Sequence, residues 1–292
     1  MKAIFRFIRE QLHGSYSDSE IKSLCFLILE SVCNLDKSYA LRCKDKQLSL
    51  NEQLRIQEII KELKNDRPIQ YILGETEFYG LTFKVDENVL IPRPETEELV
   101  EWIIKEEEPL PASLHRRGKN CKVLDVGTGS GCIAIALAKF LPGAEVFALD
   151  ISDKALEVAR QNATENRVDV RFFQYDILSD DPFPFSSLSF DCIVSNPPYI
   201  TMKEKAAMAK NVLDYEPHQA LFVPDENPLL FYEQIAGFAR KRLNENGLLY
   251  FETSSLYGQA AAEALKNKEF RQIKLLKDIS GNDRILIAKN GK

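Results

Sequence analysis

From Cys121 to the C-terminus, short β-branched and aromatic runs alternate with amphipathic helical patterns, and this alternation restricts the chain more than any other feature. Seven strand candidates occur: Lys122–Val126, Glu145–Leu149, Val170–Tyr175, Phe190–Ser195, Leu248–Glu252, Gln272–Leu276 and Arg284–Ala288. Helical periodicity lies between most of them, over Cys132–Phe140, Lys154–Asn166, Leu229–Leu243 and Tyr257–Lys266. Strands separated by helices cross over and re-enter a sheet in the same direction, so the pattern predicts an α/β fold, a seven-stranded, mostly parallel sheet with helices on both faces. The last two candidates are joined only by residues 277–283. That is too short for a crossover helix, so the last strand should run antiparallel, closing a hairpin at the end of the sheet.

The 292 residues exceed what one core usually organises, and the sequence divides accordingly. Residues 1–74 contain only Gly14 and Gly74 and carry helical stripes: Ile21, Leu24, Cys25, Ile28 and Leu29 on one, Leu54, Ile56, Ile59, Ile60 and Leu63 on another. Ser17 or Asp18, and Ser49 or Asn51, are placed to cap them. This predicts a small helical domain. Residues 75–92 read as a β-hairpin linker turning near Gly80, and residues 93–292 as the sheet domain. Val89–Pro94 leads, through two stiffening prolines, into a helix from about Glu95 to Glu106. Pro109–Asn120 is polar and predicts a surface loop.

Composition narrows the function classes. The formal charge of −6 does not suit a protein whose main task is gripping nucleic acid through phosphates. The six cysteines form no C-x-x-C pair, and with three scattered histidines they suggest no metal site. No apolar stretch approaches the roughly 18 residues of a membrane span. Arg6, Arg9 and Glu10 break up the only segment that resembles a signal peptide, which reads better as an amphipathic helix. A cytoplasmic monomer is the expectation.

Val123-Leu-Asp-Val-Gly-Thr-Gly-Ser-Gly131 ends the first strand of the sheet and opens the next helix. Gly127, Gly129 and Gly131 allow a tight turn and a close approach of backbone to ligand, with Thr128 and Ser130 between them. The G-x-G-x-G spacing differs from the G-x-G-x-x-G of the dinucleotide fold, which argues against a nicotinamide-dependent dehydrogenase. Asp125, two residues ahead of the first glycine, would favour a ligand with positive sulfonium and amino groups. Asp150 lies nineteen residues past Gly131, where α/β nucleotide binders place an acid for the ribose hydroxyls. Asp176 follows the third strand, placed to hold an adenine amino group, and Ile177 can cover the ring. A glycine turn alone is often only a tight connection, and Asp150 alone could cap the next helix. The loop together with two acids at successive strand ends is what favours a ligand site.

Ser195-Asn-Pro-Pro-Tyr-Ile200 ends the fourth strand. Two prolines hold the chain extended and leave carbonyls as acceptors. An acceptor –NH₂ could donate one hydrogen to the Asn196 side chain and another to the Pro197 carbonyl, with Pro198 stiffening the corner and Tyr199 stacking on a planar group. Such acceptors compensate the poor nucleophilicity of an amide nitrogen by stabilising positive charge as a methyl group arrives. Asn196, Pro197 and Tyr199 are therefore the candidate catalytic residues. The alternative is a rigid turn with an incidental tyrosine.

Asn-Pro-Pro-Tyr on this fold resembles the amino-methyltransferases, which include adenine-N6 enzymes acting on DNA or RNA and protein-glutamine N5 enzymes. Arg67-Pro-Ile-Gln-Tyr-Ile-Leu-Gly74, Phe78-Tyr-Gly-Leu-Thr-Phe83, Val89-Leu-Ile-Pro-Arg-Pro-Glu-Thr-Glu97, Tyr215-Glu-Pro-His-Gln-Ala-Leu221 and Gly281-Asn-Asp-Arg284 are together similar to the release-factor glutamine methyltransferases, the HemK/PrmC family. The resemblance implies a class I methyltransferase sheet, S-adenosyl-L-methionine as cofactor, and methylation of the glutamine in the Gly-Gly-Gln loop of class 1 peptide-chain release factors. It implies that Gly127–Gly131, Asp150, Ile177 and Asn196 contact the cofactor, and that Asn196, Pro197, Pro198 and Tyr199 hold the glutamine. Ile177 departs from the aromatic residue frequent there in relatives. The helical domain and the hairpin around Gly80 become docking surfaces for the protein substrate, although Phe78 and Phe83 serve equally as core residues. Arg93 serves equally as an ion-pair partner of the acids that follow it, and Glu95–Glu98 and Glu106–Glu108 read as solvated helix faces. Adenine-N6 methylation of nucleic acid, and cofactor binding without turnover, are the competing functions.

Overall fold

A computed structural model describes residues 2–35, 47–105, 121–185 and 187–291. The predicted loop at 109–120, Glu106–Glu108, His115 and Cys43 lie outside the described residues. Two compact units are present: residues 1–74 with 209–215, and residues 75–208 with 216–292.

In the first unit, α1 (Lys2–Leu12), α2 (Asp18–Cys33), α3 (Leu50–Leu63) and the short α4 (Ile69–Leu73) surround one apolar cluster. Serines start α2 and α3 with reciprocal bonds that satisfy otherwise orphaned amides. Ser17 N donates to Glu20 Oε2 at 2.8 Å while Ser17 Oγ accepts from Glu20 N; Ser49 and Glu52 repeat the arrangement. Each such cap contributes about 1 kcal/mol. The α2 stripe is buried as the periodicity predicts. On α3, Ile56, Ile59, Ile60 and Leu63 are buried but Leu54 is half exposed. Two residues before Ile56, it is turned about 200° away on a 3.6-residue helix and belongs to the opposite face. The segment 209–215 rejoins this unit, with Tyr215 Oη donating to Asn65 O at 2.8 Å and Lys210 paired with Asp66.

The second unit opens with β1 (Glu75–Phe78) and β2 (Leu81–Lys84), an antiparallel hairpin. Its two turn residues, Tyr79 and Gly80, both have positive φ (50° and 71°), the turn whose twist matches paired strands. Residues read as a linker thus belong to the sheet unit. Phe78 and Phe83 meet edge-on at 5.9 Å between ring centroids and are fully buried in its core, which decides between their two readings. Tyr79 N donates to Glu97 Oε1, so Glu97 is not merely a solvated acid. α5 (Pro94–Lys105) follows, then β3 (Lys122–Val126), α6 (Cys132–Phe140), β4 (Glu145–Asp150), α7 (Asp153–Asn166), β5 (Val170–Gln174) and β6 (Phe190–Ser195). After the two-residue β7 (Ile200–Thr201), the chain forms α8 (Lys210–Tyr215), β8 (Phe222–Val223), α9 (Leu230–Arg242), β9 (Leu243–Glu252), α10 (Gly258–Asn267), β10 (Arg271–Lys277) and β11 (Asp283–Lys289).

The seven-stranded sheet has the order β10-β11-β9-β6-β3-β4-β5, the class I methyltransferase fold. β11 alone runs opposite to the other six strands of this sheet. The closing hairpin is present, but its second strand is inserted between β9 and β10 rather than laid on the edge. Alternate strand residues feed two cores. Val123, Val146 and Cys192 face α5 and α6; Leu124, Phe147 and Ile193 face α9 and α10. Strands β3, β4 and β5 succeed each other outward, and the chain then crosses to β6 on the other side of β3. That reversal opens a crevice at the carboxyl ends of β3 and β6.

Candidate active site

The glycine turn and the double-proline corner leave adjacent parallel strands at the same end of the sheet. The register pairs Val123 with Cys192 and Asp125 with Val194, and Ser195 Oγ bonds the Val126 carbonyl at 2.6 Å. Gly127, Gly129, Asp150, Asp176, Ile177, Asn196, Pro197 and Pro198 all line one cleft. Thr128, Ser130, Gly131 and Tyr199 stand behind that lining.

The glycines divide by role. Gly127 and Gly129 have φ of 74° and 53°, and a Cβ on either would meet nothing within 4 Å, so they need left-handed backbone and leave room for a ligand. At Gly131 a Cβ would lie 2.9 Å from Ile135 Cδ1 and 3.1 Å from Ala159 Cβ. Glycine there lets α6 and α7 close together. The turn is pinned by Gly127 N and Thr128 N, both donating to Leu149 O at 2.9 Å. Its Ser130 carbonyl accepts from Asn162 Nδ2 at 2.9 Å, while the same fully buried amide bonds both Lys84 N and Lys84 O in the hairpin. Asn162 escapes sequence reasoning; its only signal is an amide residue in mid-helix, a poor helix former that calls for a partner.

Asp150 ends β4 with both oxygens engaged: Oδ2 accepts from Gly129 N at 2.8 Å and Oδ1 from Ser152 N at 2.9 Å. Ser152, not Asp150, caps α7. Burial raises the Asp150 carboxyl above the usual range, opposed by these amide bonds. Each oxygen keeps a second lone pair for a ligand. Asp176 stands two residues beyond the end of β5, its Oδ1 bound by Leu178 N at 2.8 Å.

Beyond β6, Asn196 is half-buried and its Nδ2 donates to Thr96 Oγ1 at 3.1 Å, leaving Oδ1 for the cleft. Tyr199 Oη donates to Glu252 Oε1 at 3.3 Å, and burial, with the Glu252 charge, pushes its phenol well up. Thr96 and Glu252 were missed by sequence reasoning. Glu252 closes a parallel strand, as Asp150 does, and that position was its one available signal. The other walls come from Asn88, Val89 and Leu90 and from Pro217, Gln219 and Ala220. Arg93 joins these walls, pairing with buried Glu216 at 2.5 Å. The partner is thus 123 residues away rather than among the acids that follow Arg93.

Asp125 is sealed beneath the turn. Its Oδ2 accepts from Thr128 Oγ1 at 2.6 Å and the Ala134 amide favours its charge, yet Oδ1 makes no hydrogen bond of ordinary geometry among the described residues. Burial pushes its carboxyl up to about 7. A carboxyl raised above its unfolded value of 3.8 binds its proton more tightly when folded, so this contribution to stability is complete below pH 3.8 and is lost as pH rises to about 7. Asp125→Asn, which cannot ionise, should therefore gain stability relative to the parent between pH 5 and pH 8, by on the order of a few kcal/mol. Urea titrations at both values check this; a difference independent of pH would contradict it.

Comparison with known proteins bears on the family and the fold. A methyltransferase domain model matches residues 117–285, and a PrmC N-terminal domain model matches residues 3–74. The chain is 49% identical to a release factor glutamine methyltransferase of Flavobacterium psychrophilum, over 95% of this chain and 94% of that protein. It is 45% identical to one of Bacteroides thetaiotaomicron, over 99% of both. Among solved structures, a methyltransferase from Pyrococcus furiosus shares the fold with a TM-score of 0.52 at 18% identity, covering 83% of this chain and 99% of that one.

Proposed function

Because the chain belongs to the release factor glutamine methyltransferase family, we propose that it transfers a methyl group from S-adenosylmethionine to the side-chain nitrogen (N5) of the glutamine in the Gly-Gly-Gln motif of class 1 peptide-chain release factors. The observation that carries the reading is the adjacency of Gly127–Gly129 and Asn196-Pro197 in one cleft at the reversal of strand order.

The residues present fit the cofactor. Open space above Gly127 and Gly129 admits its chain, Asp150 retains lone pairs for ribose hydroxyls, and the buried Asp125 carboxylate favours positive charge nearby. Asp176 would take the adenine amino group, with Ile177 as apolar cover. When bound, the cofactor supplies an electrophilic methyl group. Asn196 Oδ1 accepts one hydrogen of the substrate carboxamide and the Pro197 carbonyl the other. These bonds align the nitrogen and stabilise the charge it acquires. Tyr199, behind the cleft lining and held by its bond to Glu252, backs the double-proline corner that faces the planar amide. No strong base is needed, since the proton leaves after transfer. The helical unit is assigned to docking of the protein substrate.

The test is incubation with cofactor labelled in its methyl group and an unmethylated release factor. Label should enter that factor and vanish when its loop glutamine is replaced. Label entering RNA or DNA instead would favour adenine-N6 methylation.

A further inference from the structure

Glu252 is an acid in the protein interior, 1% exposed, at the level of the methyl-transfer residues. It closes β9 one residue past the pair Ser195–Phe251, so it stands beside Asn196 at the carboxyl edge of the sheet. Its two oxygens are divided between two hydroxyls. Oε2 accepts from Thr96 Oγ1 at 2.6 Å, and Oε1 from Tyr199 Oη at 3.3 Å. Thr96 is itself buried, and its oxygen is also the acceptor for Asn196 Nδ2.

A hydroxyl has one hydrogen to give. The ionised carboxylate only accepts, so Thr96 must spend its hydrogen there and can offer Asn196 nothing but lone pairs. The Asn196 amide must then turn its –NH₂ toward Thr96 and its carbonyl oxygen away, toward the cleft. The 2.6 Å distance is that of a hydroxyl on a charged carboxylate. Burial raises the Glu252 carboxyl, opposed by the Thr96 hydrogen bond and the nearby Arg284 charge. Arg284 is held in turn by Asp278 Oδ2 at 3.3 Å and by its bond to the Thr253 carbonyl.

We infer that Glu252 is a positioning residue: through the Thr96 hydroxyl it fixes which way round the Asn196 amide sits, and so makes the site accept a hydrogen-donating nitrogen. The inference rests on the proposed glutamine methylation. An Asn196 amide turned the other way would present –NH₂ to the substrate –NH₂, donor against donor. The carboxylate thereby selects a nucleophile that carries hydrogens, a primary amide, and disfavours one that offers only a lone pair. Neither Glu252 nor Thr96 touches the reacting atoms in this scheme.

The test uses the full chain, labelled cofactor and a release factor, with kcat and KM determined separately. T96V keeps the shape and removes the hydroxyl; T96S keeps the hydroxyl. T96V should lose about tenfold or more in kcat with KM and cofactor affinity nearly unchanged, and T96S should recover most of that loss. A merely structural threonine would lower the melting temperature without this split. If T96V does not fold, E252M decides: it offers Thr96 no acceptor, so the hydroxyl is free to donate to the Asn196 oxygen instead, and kcat should fall likewise. Full activity in T96V or in E252M, or equal losses in T96S and T96V, would overturn the inference. Failure of the parent protein to label any release factor would instead defeat the functional reading beneath it.

Discussion

Replacing Asn196 by alanine should lower kcat by about 10²-fold or more while changing cofactor affinity far less. The side chain stands at the end of β6 with its Nδ2 tied to Thr96 and its Oδ1 directed to the cleft. Removing it deletes the acceptor that, in the proposed reaction, aligns the substrate nitrogen and offsets its developing charge. An amide nitrogen is so weak a nucleophile that this loss falls mainly on the transition state, where the nitrogen becomes positive. In the proposed scheme the cofactor contacts of Gly127, Gly129, Asp150 and Asp176 are left in place. Single-turnover rates at saturating cofactor, with affinity from isothermal titration, separate the two effects.

Asp150→Ala should behave in the opposite way, weakening cofactor binding by about 10²-fold or more before it affects the rate at saturation. Two losses combine. The ribose hydroxyls lose their acceptor, and Gly129 N and Ser152 N lose theirs. Each amide left without a partner costs about 1–3 kcal/mol where water cannot reach it, and the glycine turn loses the anchor that shapes it. Asp150→Asn should not rescue the variant, because its –NH₂ would face a backbone N–H. Equal effects of Asn196→Ala and Asp150→Ala on both constants would refute the division of labour between the two strand ends.

Much of this architecture can be read from local pattern. The β/α alternation after Cys121 is periodic over short windows, and the sheet follows from it. Gly127-Thr-Gly and Asn196-Pro-Pro are contiguous segments whose chemistry is carried in neighbouring residues. What stays hidden depends on partners far away in the chain. Glu252 is one acid in Tyr-Phe-Glu-Thr until its carboxylate meets Thr96, 156 residues earlier. Arg93 has acids close behind it in sequence, yet the helix carries them elsewhere and its partner is Glu216. The hairpin looks like a linker because each strand is only four residues long. Its identity as core comes from Phe78 and Phe83 docking on residues such as Leu99 and Ile103. β7 and β8, two residues each, are too short to show any period.

The most direct test is tandem mass spectrometry of a class 1 release factor, digested after incubation with this protein and S-adenosylmethionine. The account predicts that the peptide bearing Gly-Gly-Gln gains the mass of one methyl substitution, with fragment ions placing it on the glutamine side chain. An unmodified peptide, or a methyl group on any other residue, would contradict it.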